Sequence, residues 1–104
     1  MSNTTAVSVS FVARVVAKEE TAEEVAAFLA SALEMAEQEE ATIAWFALRT
    51  GPTTFWIVDA FPDEEGRQAH ISGPIAAALM ANAERLFAEP PEILPAEVLA
   101  AKLP

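Results

Sequence analysis

Hydrophobic and polar positions alternate from Val7 to Lys18, which is the pattern of a β-strand with one dry face and one mixed face. Apolar residues then recur at helical spacing between Val25 and Ala36. This spacing predicts an amphipathic helix that ends near Gln38 and covers a sheet with its apolar stripe. The chain therefore begins with a strand that is followed by a helix.

The two ends of this predicted helix differ in how well their residues suit a helix terminus. The segment Thr21-Ala22-Glu23-Glu24 fits a capping box, in which the threonine hydroxyl and the Glu24 carboxylate bond to free amide groups. The other end is unfavourable, because carboxylates there oppose the negative end of the helix dipole. These carboxylates, for which the sequence offers no structural reason, belong to Glu34, Glu37, Glu39 and Glu40.

Two segments rich in Trp, Phe, Ile and Val, Thr42–Arg49 and Thr54–Phe61, flank a Gly-Pro turn and predict a β-hairpin. With a four-residue loop, Trp45 lies opposite Val58, and Trp45 and Trp56 project from the same side. The other side then carries Ala44, Phe46, Leu48, Phe55, Ile57, Asp59 and Phe61. Both faces of the hairpin are heavily apolar, so we expect both to be covered.

The remaining elements follow from capping residues and prolines. The pattern predicts one helix from Asp63, as its cap, to about Ile71, and a second from Pro74 to just before Pro90. The buried side of the second helix would hold Ile75, Leu79 and Leu86. The last run, Ile93–Leu103, alternates again but contains Pro95, which predicts a strand that either lies at an edge of the sheet or begins after the proline.

The order strand, helix, strand, strand, helix, strand predicts a single α+β domain over residues 1–104. Its fold would be ferredoxin-like βαββαβ, with a four-stranded antiparallel sheet and both helices on one face. The other face would be an exposed apolar patch in a monomer. We therefore expect a homodimer, in which two sheets close face to face into an α+β barrel.

Composition narrows the possible functions. The chain carries 16 acidic and 6 basic residues, a formal net charge of -10, so nucleic acid is not an expected partner. It has no cysteine, which excludes disulfides and thiolate metal sites. The polar segment Met1–Thr5 contains no secretory or membrane-spanning stretch, so we expect a cytoplasmic location and no membrane partner.

One short pattern points to chemistry. Asp59 ends an apolar strand, Phe61 follows, and a helix start then leads to the only histidine, through Asp63, Gly66 and His70. This pattern resembles the antibiotic biosynthesis monooxygenase-like family, which includes quinol monooxygenases and consists of small ferredoxin-like subunits that pair into a dimeric α+β barrel. The resemblance implies oxygenation of an electron-rich aromatic substrate without a metal or an organic cofactor.

The resemblance also implies roles for individual residues. His70 would be the base, because its unperturbed pKa lies near neutrality, and Asp59 would orient its imidazole. The alternatives are a histidine tethered for packing and an aspartate that bonds to helix amides. Trp45, Trp56 and Phe61 would provide the aromatic wall of a substrate pocket, although paired tryptophans also occur in cores and dimer interfaces.

Other residues and branches of the family are less well matched. Arg49 could pair with an anionic oxygen of the substrate or form a surface salt bridge. One histidine beside acidic residues does not make a zinc or copper site, so no metal is expected. The first strand has no asparagine, which disfavours a resemblance to haem-degrading members, and the chain has no tyrosine, unlike antibiotic-tailoring members.

Two main functions therefore remain open, beside a third possibility, a stress-responsive domain of the related dimeric barrel type, which shares the fold and differs only in the use of the pocket. The first is a cofactor-independent monooxygenase acting on a small quinol-like or polyphenol-like substrate. The second is a non-catalytic dimeric module that binds a small apolar ligand. Titration of the histidine distinguishes them, because a shifted pKa that responds to quinols favours the enzyme.

Overall fold

The computed structural model describes residues 6–104, and the segment Met1–Thr5, in which we expect no secretory stretch, lies outside the described residues. The strands are β1 (Val9–Val16), β2 (Ala44–Arg49), β3 (Thr54–Phe61) and β4 (Glu92–Glu97). The helices are α1 (Ala22–Ser31), α2 (Leu33–Glu37), α3 (Glu64–Ile71) and α4 (Pro74–Leu86). The predicted α+β class is confirmed.

The four strands form one antiparallel sheet in the order β2-β3-β1-β4. This order is the ferredoxin-like topology predicted from the succession of elements. Pro95 lies in β4, at an edge of the sheet. Proline has no amide hydrogen to donate, but an edge strand has no neighbour on its outer side that would need such a donor.

The helices cover one face of the sheet, and the main core lies between the helices and the sheet. Burial alternates along β3, so that every second side chain points into this core. Burying one such aliphatic or aromatic side chain contributes about 1.5 to 3 kcal/mol to folding. The core includes Ala13, Val15, Val25, Leu29, Phe55, Ile57, Leu79 and Leu86. As predicted, Ile75, Leu79 and Leu86 form the buried side of α4.

The register of the hairpin differs from the prediction by one residue. The Thr50 amide donates to the Thr54 carbonyl at 3.0 Å, which closes a shorter loop than expected. As a result Trp45 lies opposite Asp59 and not opposite Val58. A shift of one residue moves each side chain of a strand to the other face of the sheet. The prediction that Trp45 and Trp56 share a face is therefore wrong: Trp45 lies on the helix side and Trp56 on the open side.

The start of α1 also differs from the prediction. Thr21 forms no side-chain cap, and its hydroxyl instead donates to the Leu86 carbonyl at 2.6 Å and to the Lys18 carbonyl at 3.2 Å. The Leu86 carbonyl also accepts from the Lys18 amide at 3.1 Å, and the two bonds tie the beginning of α1 to the end of α4. The expected single helix to Gln38 is interrupted at Ala32, where α1 gives way to α2.

The open face of the sheet carries a row of apolar residues that crosses all four strands. Phe46 lies opposite Val58, Val58 opposite Val12, and Val12 opposite Leu94. The two outer members are well exposed, with relative accessibilities of 56% for Phe46 and 49% for Leu94. Within residues 6–104, no helix is long and apolar enough to cross a bilayer.

Candidate functional site

His70 lies in the last turn of α3 and points toward the sheet. Asp63 caps this helix by accepting a hydrogen bond from the Gly66 amide at 2.9 Å, as predicted, and so fixes where the helix begins. Gly66 and His70 are four residues apart and therefore share one helix face, which is buried. The residue is only 6% exposed.

Two carboxylates hold the imidazole, one at each ring nitrogen. Asp59 Oδ2 lies 3.1 Å from Nε2, and Glu39 Oε1 lies 2.7 Å from Nδ1. Each carboxylate has a further partner: the Phe11 amide donates to Asp59 Oδ1 at 2.9 Å, and the Thr42 hydroxyl donates to Glu39 Oε1 at 2.7 Å. We call Asp59, His70 and Glu39 the carboxylate–imidazole cluster.

The cluster favours a proton on the imidazole. Burial of the ring by itself lowers the pKa of His70, but the hydrogen bonds to Asp59 and Glu39 and their negative charges raise it by more. The net result is a His70 pKa above its ordinary value of 6.5. In the charged ring both N–H groups donate, which suits two carboxylate acceptors.

An apolar cavity of about 30 Å³ lies on the Asp59 side of the ring. Drug-sized ligands need roughly 300 Å³ or more, so this cavity has room for water and not for an aromatic ring. An aromatic molecule could enter only if side chains of the lining moved apart. The lining consists of Phe11, Ala13, Ile57, Asp59, His70, Ile71, Ile75, Ala76, Leu79 and Ile93.

A surface cleft of about 280 Å³ lies on the Glu39 side of the same ring. The imidazole therefore stands between an apolar cavity and a cleft at the surface, and lines both. The side chain of Glu39 is 17% exposed, whereas that of Asp59 is 2% exposed. The cleft is lined by Glu39, Glu40, Ala41, Thr42, Gly66, Ala69 and His70.

Phe61 and Trp45 lie close to the cluster but do not line the cavity. The Phe61 ring is fully buried, and its centroid is 5.1 Å from that of the His70 ring. Trp45 is the cross-strand neighbour of Asp59 and packs against both parts of the core. Its indole nitrogen is buried and has no hydrogen-bond partner among residues 6–104. Both residues therefore pack next to the cluster without lining the cavity.

Trp56 and Arg49 lie away from the cluster. The Trp56 indole nitrogen donates to the Thr50 hydroxyl at 2.9 Å. Arg49 pairs with Glu23 at 2.8 Å and lies over the Phe55 ring at 5.0 Å. The hydrogen bond from Arg49 to Glu23 and the positive charge of Arg49 lower the pKa of Glu23. Arg49 thus makes the surface salt bridge that the sequence left as an alternative.

The sequence patterns do not identify Glu39 as a partner of the histidine. One feature of the sequence could have pointed to it: carboxylates gather at the C-terminal end of the first helix, although they oppose the helix dipole there. An unfavourable position of this kind indicates that a carboxylate has another partner. For Glu39 that partner is His70. Within the described range 6–104, no group of three or more His, Cys, Asp or Glu side chains is arranged to hold a metal ion.

Comparisons with known proteins agree on the fold. No protein-family profile matches the chain, and no functionally curated protein matches it. The crystal structure of the NE2512 protein of unknown function from Nitrosomonas europaea is 53% identical, over 96% of this chain and 97% of that one, with a TM-score of 0.93. A crystal structure of an antibiotic biosynthesis monooxygenase is 15% identical, over 88% and 98%, with a TM-score of 0.76. Rv0793 from Mycobacterium tuberculosis is 13% identical, over 90% and 97%, with a TM-score of 0.80. The predicted likeness to the monooxygenases is confirmed at the level of the fold.

Proposed function

We propose that this chain, which belongs to the same family as the NE2512 protein of Nitrosomonas europaea and has the fold of an antibiotic biosynthesis monooxygenase, oxidises a small aromatic quinol or polyphenol without a cofactor. The observation that carries the proposal is the carboxylate–imidazole cluster beside an apolar cavity. Buried titratable groups with a shifted pKa are more frequent at functional sites than elsewhere.

The proposed reaction needs little from the protein. A quinol loses a hydroxyl proton, and the electron-rich anion reduces dioxygen. One oxygen atom enters the ring, the other leaves as water, and the product is a hydroxyquinone, so that the substrate is the only reductant. The protein has to bind a flat apolar molecule, accept its proton and keep water from the anion.

His70 would accept this proton at Nε2, on the cavity side. Because the pKa of His70 is raised, this requires a pH above that pKa, at which the ring is neutral and its remaining proton lies on Nδ1, bonded to Glu39. The longer of the two contacts, 3.1 Å to Asp59, is the one that a substrate hydroxyl would replace or share. Asp59 would then orient the ring and the substrate from the floor of the cavity.

Binding of an aromatic substrate requires the cavity to open. Its lining includes Ile75 and Leu79 of α4 and Ile93 of the edge strand β4. We propose that a substrate enters between α4 and β4, because β4 has a neighbouring strand on one side only. Trp45 and Phe61 would stiffen the wall, whereas Trp56 and Arg49 are not among the residues that line this cavity.

We further propose that the protein works as a cytoplasmic homodimer. The apolar row Phe46, Val58, Val12 and Leu94 covers the width of the open sheet face. A second copy placed face to face would remove this row from water, at roughly 25 cal/mol for each Å² of apolar surface buried. Trp56 lies on the same face and would be part of this interface.

The size of the cavity favours a second candidate, a non-catalytic module. A space of about 30 Å³ and an imidazole with both nitrogens engaged are also what a purely structural cluster would show. In that case the barrel would bind a small apolar ligand elsewhere, or none.

Oxygen uptake by metal-free protein with a panel of hydroquinones distinguishes the two candidates. The proposal predicts uptake that depends on the protein and falls roughly 100-fold or more in His70→Ala, since general base catalysis is worth 10² to 10⁴ in rate. Arg49→Ala is the matched control, because it removes a surface ion pair and should leave the rate unchanged. Absence of uptake with every quinol, or equal rates for His70→Ala and the wild type, favours the module.

A further inference from the structure

The imidazole of His70 connects two environments that are otherwise separate. Its Nε2 side faces Asp59 and the apolar cavity, and its Nδ1 side faces Glu39 and the surface cleft. A proton that His70 takes from a substrate has to leave the ring again, because a doubly protonated imidazole cannot act as a base in the next turnover. Asp59 offers no way out on its own, since its other oxygen is held by the Phe11 amide, which is not a proton carrier at neutral pH.

We propose that Glu39 is the residue that passes the proton of the substrate from His70 to solvent, an inference that rests on the proposed function of this site. The substrate O–H bond breaks and its proton binds His70 Nε2. The proton already on Nδ1 moves along the hydrogen bond to Glu39 Oε1, which lies 2.7 Å from Nδ1. Protonated Glu39 then gives it to water in the cleft. The oxygen atom that leaves as water takes up a proton from solvent in exchange, so the overall reaction stays balanced, and no electrons change hands in the transfer.

The surroundings of Glu39 suit this role. Its Oε1 accepts both the His70 contact and the Thr42 hydroxyl, each at 2.7 Å. Its Oε2 is buried and has no hydrogen-bond partner among residues 6–104. A buried carboxylate oxygen without a donor is costly, and a proton or a water molecule on it removes that cost. The side chain is nevertheless 17% exposed and lines the cleft, so solvent is within reach.

Within residues 6–104, the charged side chains that contact the ring nitrogens are two carboxylates. Asp59 faces the ring from β3 and Glu39 from the connection between α2 and β2, while Glu40 lines the cleft beyond. The residues of α4 and β1 that line the apolar cavity are themselves apolar. Arg67, on the same helix as His70, lies over the Phe11 ring at 5.3 Å and donates to main-chain carbonyls.

The test uses Glu39→Gln, which keeps an oxygen acceptor for His70 and Thr42 but cannot take up a proton. Its matched control is Glu40→Gln, which removes a carboxylate from the same cleft without touching the ring. The first measurement needs no substrate: ¹⁵N NMR of the exchange of the His70 ring protons with water, compared at pH values at which the ring is equally protonated. We expect exchange to slow by at least about tenfold in Glu39→Gln and to stay unchanged in Glu40→Gln.

The second measurement uses turnover of a hydroquinone. We expect kcat to fall by a similar factor in Glu39→Gln while KM stays constant, and we expect added acetate to restore the rate of Glu39→Ala, because it can occupy the vacated cleft. Equal ring-proton exchange in Glu39→Gln and the wild type overturns the proposal. If no quinol is turned over but exchange slows, the monooxygenase assignment fails and the proton route stands.

Discussion

His70 and Glu39 are 31 positions apart in the sequence, yet Nδ1 and Oε1 lie 2.7 Å apart, which is closer than the 3.1 Å between His70 and Asp59. The contact joins α3 to the segment that precedes β2. Thr42 strengthens it from the same segment by donating to the same oxygen. The cluster therefore depends on how this connection packs against α3, and not on the strand alone.

The pH dependence of stability should carry the signature of a histidine with a raised pKa. The pKa of His70 is above 6.5 in the folded protein, so between 6.5 and the folded value the native state binds more protons than the unfolded state. The stabilisation is complete below pH 6.5 and is lost as the pH rises through the folded pKa. Urea unfolding between pH 5 and 9 should show this loss, and His70→Gln should lack it. A wild-type protein that gains stability across this range contradicts the expected sign.

Removal of either carboxylate should lower the pKa of His70. Asp59→Asn and Glu39→Gln each keep a hydrogen-bonding side chain but remove one of the negative charges that favour the charged ring. NMR titration of the single histidine measures the pKa directly in each variant. Glu92→Gln, an exposed position on β4, provides the control and should titrate like the wild type. If Asp59→Asn and Glu39→Gln also titrate like the wild type, the cluster does not determine the protonation of the ring.

A side chain at Gly66 should destabilise the protein. A Cβ at this position would lie 2.9 Å from Ala41 Cβ, so the segment carrying Glu39 and Thr42 would have to shift. Overpacking costs about 1 to 3 kcal/mol, against a gain of up to about 1 kcal/mol in helix propensity. We expect Gly66→Ala to lower the free energy of unfolding by about 1 kcal/mol and to lower the pKa of His70. Gly51→Ala, where a Cβ meets nothing within 4 Å, should do neither.

The open face of the sheet should be a contact between two copies. Phe46→Glu places a charge in the apolar row, and we expect it to convert a dimer to a folded monomer. Leu99→Glu is the control, because Leu99 is even more exposed, at 84%, and lies beyond β4. Light scattering after size exclusion at micromolar concentration measures both. A wild-type protein that is monomeric under these conditions refutes the dimer.

Much of the fold follows from local patterns. Alternation in β1, the Asp63 cap and the Pro74 start of α4 depend on neighbours in sequence, and each lies where it was predicted. The register of the hairpin could not be predicted from these local patterns, because a four-residue and a three-residue loop both suit the segment after Arg49. The two loops differ by one residue in register, which moves every side chain of β2 to the other face relative to β3. Trp45 and Trp56 were placed wrongly for this reason alone.

The candidate site was predictable in part. Asp59 and His70 stand in one short pattern, and the structure brings their side chains together. Glu39 could not be placed in the same way, since its contact with His70 depends on tertiary packing between α3 and a distant connection. The size of the cavity depends on the same packing, which no spacing of residues in the sequence specifies.

The most direct test of the central claim is the fate of labelled oxygen. Metal-free protein is incubated with ¹⁸O₂ and a hydroquinone, and the product is analysed by mass spectrometry. The account predicts a hydroxyquinone that carries one heavy oxygen atom, with the other in water, and a loss of this product in His70→Ala. A quinone without label, formed together with hydrogen peroxide, or no product above that of buffer alone, would contradict it.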